Sequence, residues 1–154
     1  MSGKYETRLA ELGVTLPDAP APAANYVPYV IVGDMVYVSG QISGDANGRI
    51  NGKLGDGFSV EQGQAAAKTC AISLIAQLKS ACDGDLDRLV RVIKLGGFVN
   101  CTPDFADHPK VINGASDFIG EVFGDAGKHA RAAVGSSSLP LGVAVEIEGI
   151  FQIK

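Results

Sequence analysis

The chain has no apolar run near the roughly 20 residues that a membrane-spanning helix needs. It also has no CxxC, no HxH or HxxxH and no stripe of basic residues. Each absence removes a class of function. Without a long apolar run, no membrane partner is expected. The opening residues, MSGKYETRLAELG, carry charges throughout and lack the apolar centre of a secretion signal. Only two histidines are present, His108 and His129, and neither has a spaced partner, so a zinc site is not expected. The three cysteines, Cys70, Cys82 and Cys101, have no metal-ligand spacing. An odd count without a secretion signal points to reduced thiols in a cytoplasmic protein, serving as small apolar filler. The net charge is −4. Proteins that grip nucleic acid through its phosphates usually present a basic stripe, so nucleic acid is not an expected partner.

What is present describes a single globular domain spanning 1–154. Its composition is 46% hydrophobic and 19% charged, enough to bury a sizeable core. Tyr5 to Leu12 is expected to form a short helix ended by Gly13. The stretch TLPDAPAPAANYVP holds four of the seven prolines and reads as an extended arm, so residues 1–25 are a helix plus a Pro/Ala-rich arm. Val27 to Ser39 reads as a hairpin turning at Gly33-Asp34. Gly44 to Gly57 is glycine-rich and reads as a loop with a brief strand at Arg49 to Gly52. It matches no phosphate-binding pattern.

Ser59 to Ala81 is the clearest helix. Ser59 and Gln62 make a capping box, and Ala67, Ala71, Leu74, Leu78 and Ala81 recur at helical spacing. Leu89 to Val99 reads as a strand apolar on both faces, with Leu89, Ile93 and Leu95 on one and Val90 and Val92 on the other. Asp107 and Pro109 start a second long helix, which Gly124 stops. The order β-β-(β)-α-β-α-β-β is an α+β fold with a mainly antiparallel sheet and two helices on one face. Two helices cover one face only. Apolar residues on both faces therefore predict a small symmetric oligomer closing the other.

The last stretch, Lys128 to Ile153, reads as strand, turn, strand. Val143, Val145 and Ile147 alternate with Glu146 and Glu148, so two carboxylates share one face of a strand whose other face is apolar. Arg131 is expected in the facing strand. An Arg and a Glu on neighbouring strands can bind a small carboxylate and place a water beside it. The competing reading is a structural ion pair.

Taken together, Tyr26, Ser39-Gly40-Gln41-Ile42, Val99-Asn100, Asn113, Arg131, Leu139-Pro140 and Glu146-Ile147-Glu148 resemble the RidA family, also called YjgF/YER057c/UK114. The resemblance runs from about Ala21 to Ile153, and VSGQI followed by R-x8-P-x5-EIE carries it. It implies a chorismate-mutase-like fold and a homotrimer whose sheets form a central barrel, with active sites between subunits. It implies hydrolysis of reactive enamine/imine intermediates such as 2-aminoacrylate to a 2-keto acid and ammonia, without metal or organic cofactor. By resemblance, Arg131 clamps the substrate carboxylate and Glu146 orients the attacking water. Tyr26, Ser39 and Gly40 line the cleft, Asn113 lies near it, and Ala133 stands at a cleft position where the family often has Cys. The chain departs from the shorter members at Ala132, Ala133 and His129 and in its longer arm. His129 is expected either to face the cleft or to start a strand bonded to backbone. Two other functions stand beside the hydrolase: a trimer that binds small carboxylates or keto acids without chemistry, and a ribonuclease or translation inhibitor. The acidic charge and the lack of a histidine pair argue against the last.

Overall fold

The computed structural model describes residues 3–154. The first helix, α1 (Lys4–Glu11), buries Tyr5 and Leu9. The Tyr5 ring stands edge-on to Phe123 with centroids 4.8 Å apart, which ties the N-terminal helix to the body. The proline-bearing arm that follows forms neither helix nor strand. β1 (Tyr29–Val32) and β2 (Met35–Ile42) are the expected hairpin, and Gly33 takes the positive φ (+60°) that its tight turn requires. The glycine-rich segment is more ordered than a loop. β3 (Gly44–Asp45) and β4 (Gly48–Arg49) pair as a small second sheet, and Asn51 bridges to Val143.

α2 (Val60–Ala81) carries the capping box in full, with the Ser59 and Gln62 side chains each bonded to the other's backbone N–H. α3 (His108–Phe123) starts after Asp107 with Pro109 in its first turn, and Gly124 ends it. Its Val111, Ala115, Phe118 and Val122 are buried. The two helices lie side by side and can do so because of Gly114. A β-carbon there would stand 2.1 Å from the Gln64 carbonyl oxygen. Small residues on α2, among them Ala66, Ala67, Cys70 and Ala71, are fully buried and let it sit close to the sheet. Among the described residues, no helix is long and apolar enough to cross a membrane.

β5 (Leu89–Asn100), β6 (Ala130–Ser136) and β7 (Val145–Ile153) complete a five-stranded sheet ordered β1-β2-β7-β5-β6. All pairs are antiparallel except β5–β6. The fold is therefore α+β and mainly antiparallel, with the helices on one face, as expected from the order of elements.

Two expectations fail. The final strands are not a hairpin: β6 pairs in parallel with β5, and β7 lies between β5 and β2. α3 joins β5 to β6, and a helical crossover returns the chain in the same direction. The connection from β6 to β7 is too long for a tight hairpin turn and includes a 3-10 turn at Pro140–Gly142. The face assignment on β5 also fails. Irregularities in its pairing with β7, between Leu89 and Arg91 and between Val92 and Lys94, shift the alternation. Leu89, Val92 and Leu95 are therefore all buried under the helices, while Val90 is 43% exposed.

The face away from the helices is open. Register places Tyr37, Ile150 and Lys94 there, then Glu148, then Glu146, Phe98 and Val134. Tyr37 and Val134 are each 46% exposed, so this face combines uncovered apolar surface with two carboxylates.

Candidate active site

Arg131 lies on β6, an edge strand, opposite Leu95 in register, so its side chain turns to the helix side of the sheet. There α3 presents Pro109, Asn113 and Ser116 at helical spacing, one above another. The Arg131 Nη1 donates to Asn113 Oδ1 at 2.9 Å and to Ser116 Oγ at 3.1 Å, and Nη2 donates to the Pro109 carbonyl at 3.1 Å. Every one of these acceptors is neutral. Among the described residues no carboxylate pairs with Arg131, and its Nε has no partner. The result is a guanidinium held rigidly by a helix, permanently charged, with donors to spare. The structural ion pair that competed with the site reading does not form among the described residues.

His129 completes this cluster from behind. Its Nδ1 donates to the Gly127 carbonyl at 2.6 Å, and its Nε2 accepts from the Ser116 hydroxyl at 2.9 Å. Both ring nitrogens are used, so His129 is the strand-start residue bonded to backbone, and it braces the serine that braces Arg131. Ala133 follows Arg131 on the same side of β6, half-buried against the core, and Ala132 points to the open face.

Glu146 belongs to a second cluster. It lies on β7 opposite Ile42, on the open face beside Glu148, while Val145 and Ile147 are fully buried beneath. The two carboxylates thus share a face as expected. Burial first, and the Glu148 charge second, push the Glu146 carboxyl above its ordinary value. Its oxygens have no hydrogen-bond partner among the described residues. Gly40 lies against it: a β-carbon at Gly40 would come within 3.0 Å of the carboxyl. Gly40, Ser39 and Tyr26 line a small cavity of about 70 Å3 between the arm and β2, with Pro20 and Gln77. The Ser39 hydroxyl donates to the Val27 carbonyl at 2.7 Å and so anchors the arm.

The structure therefore brings Arg131 together with Asn113, and Glu146 with Gly40 beside the cavity of Ser39 and Tyr26. It does not bring Arg131 to Glu146. β5 separates their strands, and the two side chains point to opposite faces of the sheet. The expectation of neighbouring strands is corrected accordingly. Sequence reasoning passed over Ser116 and the Pro109 carbonyl. No pattern singled them out, because polar and small residues recur on two rows of α3, Pro109, Asn113 and Ser116 on one and Lys110, Gly114, Asp117 and Glu121 on the next.

Comparison with known proteins adds four findings. A family model described as "YjgF/chorismate_mutase-like, putative endoribonuclease" matches residues 6–148. Protein TCP17 of Trypanosoma cruzi is 47% identical over 155 residues, covering 99% of this chain and 96% of that protein. The crystal structure of Atu1372 from Agrobacterium tumefaciens, described as of unknown function, superposes with a TM-score of 0.91 at 48% identity. It covers 97% of this chain and 92% of that one. More distant is a 2-iminobutanoate/2-iminopropanoate deaminase of Dermatophagoides farinae, 29% identical over 141 residues, covering 92% of this chain and 95% of that protein.

Proposed function

The chain belongs to the RidA (YjgF/YER057c/UK114) family, and on that premise we propose that it hydrolyses reactive enamine/imine intermediates of the 2-aminoacrylate type to 2-keto acids and ammonia. The observation that carries the reading is the unpaired, helix-braced guanidinium of Arg131. A planar fork with free N–H groups matches the carboxylate of an imino acid in two parallel hydrogen bonds. The named activity of the Dermatophagoides farinae relative supports the same substrate class.

The chemistry asks little of the protein. The enamine takes a proton at its terminal carbon and becomes the imine, whose C2 is already electrophilic. Glu146 accepts a proton from a water as its oxygen bonds to C2. The C=N π bond breaks onto nitrogen, which takes that proton. The hydroxyl proton of the resulting carbinolamine then follows it to nitrogen through the same carboxylate, the C–N bond breaks as the carbonyl forms, and ammonia and the keto acid leave. A carboxyl raised above its ordinary value is better matched to this two-way transfer near neutral pH than an ordinary glutamate. Arg131 and Glu146 must come from different copies, because one chain holds them on opposite faces. The proposed assembly is a cytoplasmic homotrimer in which the β6 edge of one copy meets the Glu146 face of the next. The uncovered apolar face supports it.

A second reading is a trimer that binds small keto acids without turning anything over. It is favoured by Ala132 and Ala133, which add no polar group beside Arg131. The endoribonuclease wording of the family description finds less support, since the net charge is −4 and Arg131 stands without a basic platform. The test is ammonia and keto-acid release from imines made by an amino-acid oxidase, wild type beside Arg131→Ala. Acceleration lost in the variant supports the hydrolase. No acceleration with any imine, together with calorimetric binding of 2-oxobutyrate, supports the second reading.

A further inference from the structure

Beyond the ends of β5 and β6 the chain forms another chemical pair, independent of the imine site. Cys101 follows β5, its N–H bonded to the Ser136 carbonyl at 3.0 Å. His108 opens α3. The Cys101 Sγ lies 3.4 Å from His108 Nε2, and the Phe105 ring stands edge-on to the imidazole at 5.3 Å. With the imidazole proton on Nδ1, the thiol donates to Nε2. Space for this contact is kept by Gly135: a β-carbon there would be 2.5 Å from Nε2 and 2.6 Å from Sγ. Both residues line a cavity of about 340 Å3, shared with Thr102, Phe105, Ser136 and Ser137. That volume suits a small organic molecule.

The other two thiols differ in kind. Cys70 and Cys82 are fully buried, and burial pushes both thiols up. Cys70 faces the Val145 carbonyl, at 3.5 Å, and the Thr69 hydroxyl, neither of which is a base. Cys101 alone has a base beside it and a cavity in front of it.

We propose that Cys101 and His108 are a nucleophile–base pair that captures small α,β-unsaturated carbonyl compounds by conjugate addition. The thiol proton passes to His108 Nε2, the sulfur bonds to the β-carbon as the C=C π bond breaks, and the imidazolium returns the proton to the α-carbon. The net change is addition of S–H across the double bond, with no further reactant. Negative charge develops on the carbonyl oxygen during attack. Polar residues, Ser136 and Ser137 among them, line the same cavity, so this charge develops in a polar setting.

The test uses the whole protein and N-ethylmaleimide below stoichiometry at pH 7, with labelled peptides quantified by mass spectrometry over time. Cys101 is expected to label ahead of Cys70 and Cys82 and faster than free glutathione. A positioned general base that takes the proton during attack contributes about a hundredfold or more. In His108→Gln most of that advantage should vanish while circular dichroism is unchanged. Two outcomes overturn the proposal: wild-type Cys101 labelling no faster than glutathione, or a folded His108→Gln variant keeping the wild-type rate. The glutathione comparison decides the matter even if the variant fails to fold.

Discussion

Replacing Arg131 by lysine tests whether the site needs a fork or only a charge. In the structure the guanidinium spends Nη1 on Asn113 and Ser116 and part of Nη2 on the Pro109 carbonyl, and still has N–H groups on Nε and Nη2 to offer. A lysine ammonium has three donors on one atom. If it keeps the α3 contacts it cannot also present two parallel bonds to a carboxylate. If it turns to the substrate, Asn113 and Ser116 lose their donor. Either way about one charge-assisted hydrogen bond to the ligand is lost, worth about 1.5–3 kcal/mol. At about 1.4 kcal/mol per decade this weakens binding about ten- to a hundredfold. Calorimetric Kd for 2-oxobutyrate and kcat/KM for ammonia release should both worsen by that factor, with sedimentation unchanged. An Arg131→Lys variant equal to wild type in both assays would refute the bidentate clamp and leave only a point charge.

Three more outcomes follow from the geometry. Glu146→Gln should stabilise the protein at neutral pH in thermal melts. A carboxyl raised in the fold binds its proton more tightly folded than unfolded, so stability falls as pH climbs through its titration. The gap between variant and wild type should therefore close below the ordinary carboxyl value of 4.5, and a gap that widens in acid would reverse the assigned direction. Gly114→Ala should lower the urea midpoint. Helix propensity gains about 0.5–1 kcal/mol, but the new methyl meets a backbone carbonyl that cannot move alone, and overpacking costs about 1–3 kcal/mol or more. Tyr37→Glu on the open face should shift sedimentation to a smaller species with circular dichroism unchanged, since the ring is half exposed within one chain; an unaltered profile would remove this face from the proposed interface.

The helices were legible because their signals are local. The Ser59–Gln62 box and the spacing of Ala67, Ala71, Leu74 and Leu78 fix α2 without reference to the rest of the chain. The sheet was harder. Whether β6 pairs with β5 or β7 is decided by where α3 carries the chain, and no residue of β6 records that. The pairing irregularities on β5 were equally invisible: Val90 and Val92 read as one face, and only the pairing with β7 shows that the alternation slips between them. At the site, single residues were readable but their grouping was not. Asn113 and Arg131 lie 18 positions apart and meet, whereas Arg131 and Glu146 are closer in sequence and do not. Cys101 and His108 have no metal-ligand spacing in the sequence, yet they face each other across the β5–α3 connection.

The separation of Arg131 from Glu146 bears directly on the proposed assembly. A two-fold axis would pair one patch with itself, and no single patch holds both groups, because Arg131 and Glu146 lie on opposite faces of the sheet. A complete site needs unlike patches in contact: the β6 edge with its braced guanidinium from one copy, and the Gly40–Glu146 surface from the next. Such contacts are heterologous, and heterologous contacts either close into rings or grow without end. The arrangement of apolar residues favours closure. Tyr37, Phe98, Ile150 and Val134 extend across the open face from β2 to β6, so each copy carries apolar surface near both patches, which the proposed ring would bury against its neighbours. In the proposed ring the guanidinium and the raised carboxyl, neither paired with an opposite charge among the described residues of its own chain, would be two halves of one site.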